Sequence, residues 1–331
     1  MKTPDHKKQA ILAALNHGQF VSGQALGEQL GVSRAAIAKH IAALQQMGVD
    51  IFRVNGRGYK LNYSLPLIQP NRLAEQWQQS FNQPCPIEYH AIIDSTNSEL
   101  MRRLHHKEPL NSGHVLVAEM QQAGKGRRGR VWQSPFGANL YYSYYWQFDA
   151  GMQAAMGVSV AVGLAVYDAL QQLYGIEVAL KWPNDVYLKQ QKLAGILVEL
   201  DGQVEGPCHL VIGIGLNICM PESASAQIDQ AWTDLQAHVG EVDKNQLVME
   251  LTKALQQRLA HYQSSGLTTM TEQWNRLNAF KNAAVTLSTG QRTWRGICQG
   301  IDSQGGLLLK QDGESKAFYG GELSLRKVSQ S

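Results

Sequence analysis

Apolar positions in the first sixty residues follow a helical rhythm. Ile11, Leu12 and Leu15 predict a helix over KKQAILAALNHG that ends at Gly18. SGQALGEQL predicts a short second helix, with Ser22 as its N-cap and Leu26 and Leu30 turned inward. Gly31 permits a tight turn, Ser33 can cap again, and Ile37, Ile41 and Leu44 form the apolar stripe of a third helix. After Gly48 the period shortens to an alternation, VDIFRVNGRGYKL, which a turn at Asn55-Gly56 folds into a β-hairpin. A short helix, a glycine turn, a longer helix and a basic hairpin make a winged helix-turn-helix over residues 1–64.

Residues 65–72 continue a stretch with two prolines and little periodicity, which reads as a linker. From 73 to 277 strand and helix patterns alternate. IEYHAI leads into a helix opened by Asp94-Ser95-Thr96-Asn97, and HVLVAEMQQ and the aromatic GANLYYSYYWQF are strands. AAMGVSVAVGLAVYDALQQLYG is a long apolar helix. VALKWPNDVYL is a strand broken by Pro183, and QKLAGILVEL and HLVIGIGLNI are further strands. DKNQLVMELTKALQQRLAHYQ closes the segment as an amphipathic helix. The fold class is α+β, with a mixed α/β centre around a mostly antiparallel sheet. Residues 278–331 hold short strands separated at Thr289-Gly290 and Gln304-Gly305-Gly306, the pattern of a small β-barrel.

Composition bounds this picture. A chain of 331 residues suits two or three domains, and 44% hydrophobic against 17% charged residues suits a globular protein with a sizeable core. No run of 18 apolar residues occurs, and the start lacks the long apolar stretch and cleavage site of a signal peptide, so a cytoplasmic protein without a membrane partner is expected. The four cysteines form no CxxC pair, which argues against zinc or a disulfide framework. His105 and His106 are adjacent in a polar stretch and read as solvated surface, because neighbouring side chains diverge on a helix.

Charge changes the picture more. Residues 1–64 carry eight Lys/Arg and three acids, 8 − 3 = +5, against +3 for the whole chain. A recognition helix enters the major groove N-terminus first, which would present Ser33, Arg34 and Ala35, then Lys39 and His40, while Arg57 at the wing tip would touch backbone. Winged helices also serve as protein-interaction modules. Basic residues on both the recognition helix and the wing favour DNA, and because one module binds weakly a dimer on a two-fold symmetric site is expected.

QQAGKGRRGR, at 121–130, has the glycine spacing of a dinucleotide fingerprint, and its outer glycines have that of a P-loop. The fingerprint needs a helix after the loop, and Pro135 and an aromatic strand follow instead. Gly129 is followed by Arg-Val rather than Lys-Ser/Thr, which excludes the P-loop. A basic glycine loop between strands can still cradle an anion through successive N–H groups. Other stretches also look chemical. Ser95, Thr96 and Asn97 could bind a polar group or simply cap a helix. In KWPND, Lys181 can neutralise phosphate and Asp185 can hold Mg²⁺ or fix a base, unless the stretch is only a bulged turn. Lys192 alone reads as surface. GIGLN, ending at Asn217, suits either a close ligand or a bulge.

Taken together, SRAAIAKHI, IDSTN, AEMQQAGKGRRGR, SPFGANLY, KWPNDVYL, KLAGILVEL, GIGLN and GGELSLR resemble the biotin–protein ligase family over nearly the whole chain. The helix-turn-helix matches its bifunctional form, which also represses a biotin operon. The resemblance implies an SH3-like C-terminal domain and an enzyme that joins biotin to ATP as biotinyl-5′-AMP and passes it to a lysine of a biotin carboxyl carrier protein. By the same resemblance Ser95, Thr96, Asn97, Gln121, Lys125, Gly126, Arg127 and Lys192 bind biotin. Lys181, Asn184, Asn217 and Trp232 face the nucleotide. Lys192, Arg127, Lys181 and Asp185 form the catalytic group, with Asp185 toward Mg²⁺. The family loop commonly reads GRGRRG where this chain has Lys125, a departure that matters only if the side chain rather than the backbone N–H makes the contact. The expected switch is a homodimer formed on binding biotinyl-AMP. Two rival readings are a ligand-sensing repressor without ligase activity and a lipoate or octanoyl transferase, which needs a longer apolar tunnel.

Overall fold

The computed structural model describes residues 6–61, 65–81, 86–149, 151–202, 206–221, 228–290, 292–320 and 323–327. Cys85 falls outside them.

At the N-terminus, α1 (His6–Leu15), α2 (Gly23–Leu30) and α3 (Arg34–Gln46) bury Ile11, Leu12, Leu15, Leu26, Ile37 and Leu44 against one another. Both expected caps form: Ser22 Oγ accepts from Ala25 N–H at 3.0 Å and Ser33 Oγ from Ala36 N–H at 3.2 Å. Gly31 ends α2 in the left-handed region at φ +63°. The wing is β1 (Ile51–Val54) paired antiparallel with β2 (Gly58–Leu61). Val21 adds a third edge through two hydrogen bonds with Tyr59. Gly58 lies so close to the Val21 carbonyl, at φ +107°, that a side chain there would split the wing from the helices.

The stretch read as a linker is stitched at both ends. Leu65 exchanges two hydrogen bonds with the Asn16 amide, and Gln69 exchanges two with Asn245. Between them Ile68 N–H donates to Glu119 Oε1 at 2.5 Å. A helix, α4 (Pro70–Ser80), begins inside this stretch, because proline is well placed in a first helical turn, where a missing N–H costs nothing.

Seven strands follow: β3 (Ile87–His90), β4 (Val115–Ala118), β5 (Asn139–Phe148), β6 (Ala179–Lys181), β7 (Asp185–Leu188), β8 (Gln191–Gly202) and β9 (Cys208–Asn217). Their order is β3-β4-β5-β9-β8-β7-β6, and only β3–β4 is parallel. Alternation along the strands feeds two layers. Val115, Val117, Tyr142, Tyr144, Leu210 and Ile212 join the large core under α6 (Val158–Tyr174) and the later helix of residues 244–265, while Leu116, Tyr145 and Val211 pack with Leu100 of α5 (Thr96–His105). The sheet is thus covered on both faces, and the N-terminus of α5 is set on the sheet.

Beyond β9 come α7 (Gln236–Val239), α8 (Lys244–Ser265) and α9 (Thr271–Leu277). The C-terminal part is an antiparallel five-stranded sheet of SH3-like kind: β10 (Ala284–Thr289), β11 (Arg292–Ile301), β12 (Leu307–Gln311), β13 (Glu314–Phe318) and β14 (Ser324–Lys327). Its inward Val285, Leu287, Leu307 and Leu325 share the core of the central sheet. Among the described residues no helix is long and apolar enough to cross a membrane.

Candidate active site

Two adjoining cavities open between the glycine-arginine loop and strands β7–β9. The smaller, about 60 Å³, is lined by all eight residues expected at biotin, from Ser95 to Lys192. The larger, about 450 Å³, is lined by Lys181, Asn184, Asp185, Asn217 and Trp232. Gly126, Arg127, Trp132, Asn184 and Lys192 line both.

The small cavity is lined by a network of hydrogen-bonding side chains. Ser95 caps α5, accepting from Ser98 N–H, and so is fixed before any ligand arrives. Gln121 Oε1 accepts from Thr96 N–H at 2.9 Å and from Thr96 Oγ1 at 3.2 Å. Ser143 Oγ lies 2.7 Å from Thr96 Oγ1 and 2.6 Å from Asn97 Oδ1. The Asn97 amide donates to Glu199 Oε2 at 2.9 Å. Its orientation is therefore set from both ends. Ser143 and Glu199 were not legible beforehand. The only signal for Ser143 was a lone hydroxyl in the aromatic run YYSYYW.

The glycines of GIGLN sit in regular antiparallel register on both sides, without a bulge. What approaches them is protein. A methyl on Gly213 would come 2.5 Å from Asn97 Oδ1, and one on Gly215 would come 2.5 Å from the Trp132 ring. Trp132, unremarked in the sequence, lies at the junction of the cavities with its buried Nε1 unpaired among the described residues. A buried donor without a partner is costly unless an acceptor arrives.

The loop is folded back on itself. Gly126 N–H donates to Arg130 O at 2.7 Å and Trp132 N–H to Gly124 O at 3.0 Å. Arg127 crosses the space between the cavities: Nη1 donates to Asn184 Oδ1 at 2.8 Å and Nη2 to Leu323 O of the C-terminal part. Asn184 donates in turn to Ile196 O at 2.6 Å, so its amide pins loop to sheet. Lys125 Nζ points to Glu199 Oε1 at 3.7 Å. Asn217 donates to Thr233 O at 3.0 Å, and Lys192 pairs through its backbone with residues 231 and 233. Together these bonds fix the segment that carries Trp232.

Asp185 binds two ammonium groups. Oδ1 is 2.7 Å from Lys192 Nζ and Oδ2 is 3.1 Å from Lys181 Nζ. Burial pushes its carboxyl up, but the two ammonium groups outweigh burial and hold it below the ordinary carboxylate value. Burial would likewise lower Lys181, yet Asp185 and Tyr187 raise it. Lys181 remains a cation facing the larger cavity. As a metal ligand, Asp185 would have to surrender one of them, and among the described residues no group of three His, Cys, Asp or Glu could hold a metal. The donor set does not fit a protein-held divalent ion.

On the winged helix, Ser33, Arg34, Ala35 and Lys39 are exposed along the start of α3, and His40 is half-buried. Arg57 and Lys60 lie over the Phe20 ring at 5.7 and 5.9 Å, so an aromatic residue missed in the sequence braces the wing's cations.

Residues 7–60 match an HTH domain, residues 89–217 the Biotin/lipoate A/B protein ligase family and residues 282–326 the Biotin protein ligase C terminal domain. The chain is 43% identical to the bifunctional ligase/repressor BirA of Salmonella typhimurium over 96% of its own length and 97% of that protein's. Against the Escherichia coli protein of the same name the identity is 42%, with the same coverage. The biotin protein ligase from Aquifex aeolicus in complex with biotin and ATP is 26% identical, with a TM-score of 0.63 over 75% of this chain and 100% of that one. The chain belongs to the family of bifunctional biotin–protein ligases and repressors.

Proposed function

We infer that the protein activates biotin with ATP, transfers it to a lysine of a biotin carboxyl carrier protein, and binds operator DNA through its winged helix. The observation that carries the reading is the pair of cavities meeting at Arg127, Asn184 and Lys192. A pocket that offers hydroxyl and amide side chains suits the ureido ring of biotin, bound by Ser95, Thr96, Asn97 and Gln121. The larger cavity suits ATP, with Trp232 on the adenine side and Lys181 on the phosphates. The hydroxyl and amide groups that line this pocket match a ureido ring, whereas the apolar dithiolane ring of lipoate offers them nothing to bond.

At the junction a biotin carboxylate oxygen attacks the α-phosphorus and the bond to pyrophosphate breaks. Both reactants are anions. Arg127 and Lys192 bring them together and stabilise the charge that develops. Bound Mg²⁺ would offset phosphate charge from the ATP side, while Asp185 would stay with Lys181 and Lys192. The acceptor amine then attacks the acyl carbon and AMP leaves. The folded glycine loop keeps water from the mixed anhydride in between.

Biotinyl-AMP seated under the loop favours a homodimer, which places two recognition helices on a two-fold operator. Incubating the protein with ATP, Mg²⁺, a carrier domain and either biotin or lipoate tests the enzyme. Carrier mass should rise with biotin only. A protein that binds biotin but never labels the carrier is a sensor without ligase activity, and this reading then fails.

A further inference from the structure

The junction between the central and C-terminal sheets has a chemical consequence at Lys181. Asn278 bridges in parallel to Leu180, and Ala279 N–H donates to Leu180 O at 2.9 Å. This pairing delivers the next residue, Phe280, to the wall of the larger cavity. Lys181 Nζ lies 5.9 Å from the Phe280 ring centroid and 5.2 Å from that of Tyr187. The two rings meet edge to face, 6.4 Å apart. The same ammonium donates to Tyr187 OH and Asp185 Oδ2, each at 3.1 Å.

The charge count explains why aromatic faces are useful here. One carboxylate, Asp185, serves two ammonium groups, so the cluster keeps a net positive charge. Ring quadrupoles attract a cation without neutralising it. The ammonium is thus held in place while its charge stays available to an incoming anion. Lys192 lines both cavities, at the junction where the new bond forms, whereas Lys181 lines only the larger one. The phosphates that fall to Lys181 are those remote from biotin.

We propose that Phe280, supplied by the segment leading to the C-terminal sheet, is a positioning residue: with Tyr187 it forms an aromatic cradle that aims Lys181 at the leaving pyrophosphate of ATP. The proposal rests on the ligase reading above. It gives the C-terminal part a role in the first half-reaction and none in the second.

The test compares full-length wild type, Phe280→Leu and Phe280→Tyr in three assays: adenylate formation, pyrophosphate-driven reversal of biotinyl-5′-AMP, and transfer of preformed biotinyl-5′-AMP to a carrier domain. Phe280→Leu should raise KM for ATP and for pyrophosphate roughly tenfold. Its transfer rate should stay within about twofold, and Phe280→Tyr should restore both KM values. An unchanged pyrophosphate KM in Phe280→Leu overturns the cradle, as does an equal loss in all three assays or a tyrosine variant no better than leucine. Wild type that makes no biotinyl-5′-AMP overturns the ligase reading instead.

Discussion

Lys125 poses the sharpest residue-scale question, because the family resemblance implies arginine in its place. Its side chain is 48% exposed and its ammonium turns to Glu199, which also holds the Asn97 amide. A side chain used this way needs only a positive charge, so Lys125→Arg should change biotin affinity by less than about twofold in calorimetry. Gly213→Ala should instead weaken biotin binding by more than roughly tenfold, since its methyl would displace Asn97 from the pocket wall. If the arginine variant gains as much as the alanine variant loses, the guanidinium is a direct ligand contact. A second residue-scale prediction concerns Glu88, which binds Arg103 at 2.5 and 2.8 Å and His114 at 2.8 Å. The Arg103 hydrogen bonds, with those from His114 and His90, hold its carboxyl far below its ordinary 4.5. A depressed carboxylate contributes stability in full above its unfolded value and loses it as pH falls toward the folded one. Glu88→Gln should cost about 1–2 kcal/mol at pH 7, discounted for partial exposure. The gap should narrow below about pH 4.5. Equal gaps at pH 7 and pH 3 in urea unfolding would sink this.

At the scale of elements, a buried ion pair fastens the stretch before α4. Lys244 Nζ lies 2.8 Å from Glu119 Oε2 and 2.8 Å from Gly137 O, with both charged side chains at 0% exposure. Glu119 follows β4, two residues before Gln121, and its other oxygen receives Ile68 N–H. Removing one partner strands a buried charge, so Lys244→Met should cost about 3–5 kcal/mol and lower Tm by roughly 10 °C. Adding Glu119→Gln removes the orphan charge and keeps an acceptor for Ile68, so the double variant should melt higher than the single one. A lower Tm in the double variant would show that the pair matters for more than mutual neutralisation. This strap also marks what sequence reasoning can reach. The winged helix was legible to its caps because helices, turns and hairpin are local patterns: Ser22, Ser33 and Asn55-Gly56 act within a few residues. Ser95–Asn97, KWPND and GIGLN stood out locally as polar or glycine clusters, whereas Gln121, Lys192 and Trp232 were reached only through the family resemblance. The strap was not, because Asn16, Glu119, Lys244 and Asn245 lie 49 to 176 residues from the backbone groups they bind. Nothing in a lone buried lysine announces its partner. Trp132 and Phe280 were missed for the same reason, since each acts through neighbours that only the sheet brings together.

At the scale of the whole molecule, the winged helix does not float free of the pocket. Ala91, Leu65 and Phe136 belong to the same apolar cluster as Ile11, Ile37 and Leu44. Ala91 stands three residues before Asp94 of IDSTN, and Phe136 two residues after Ser134, which contacts Gln121. The winged helix therefore rests on the two segments that deliver the pocket's polar residues. A ligand that binds only one arrangement of those segments shifts the population toward it. In the proposed dimer two winged helices engage one DNA site, and each should bring its own set of phosphate contacts. The proposed dimer makes a quantitative demand. Sedimentation should show association when biotin and ATP are added together. On a two-fold symmetric DNA selected by the liganded protein, the slope of log affinity against log salt should fall by about 2 in magnitude for Arg57→Ala, one phosphate contact per protomer. Arg34→Ala, at the exposed start of α3, should weaken that DNA by at least roughly tenfold while scrambled DNA changes less. A slope change of about 1 would mean that only one winged helix engages. No association on adding both ligands would cut the link between pocket and operator, leaving the ligase and the DNA module as independent functions on one chain.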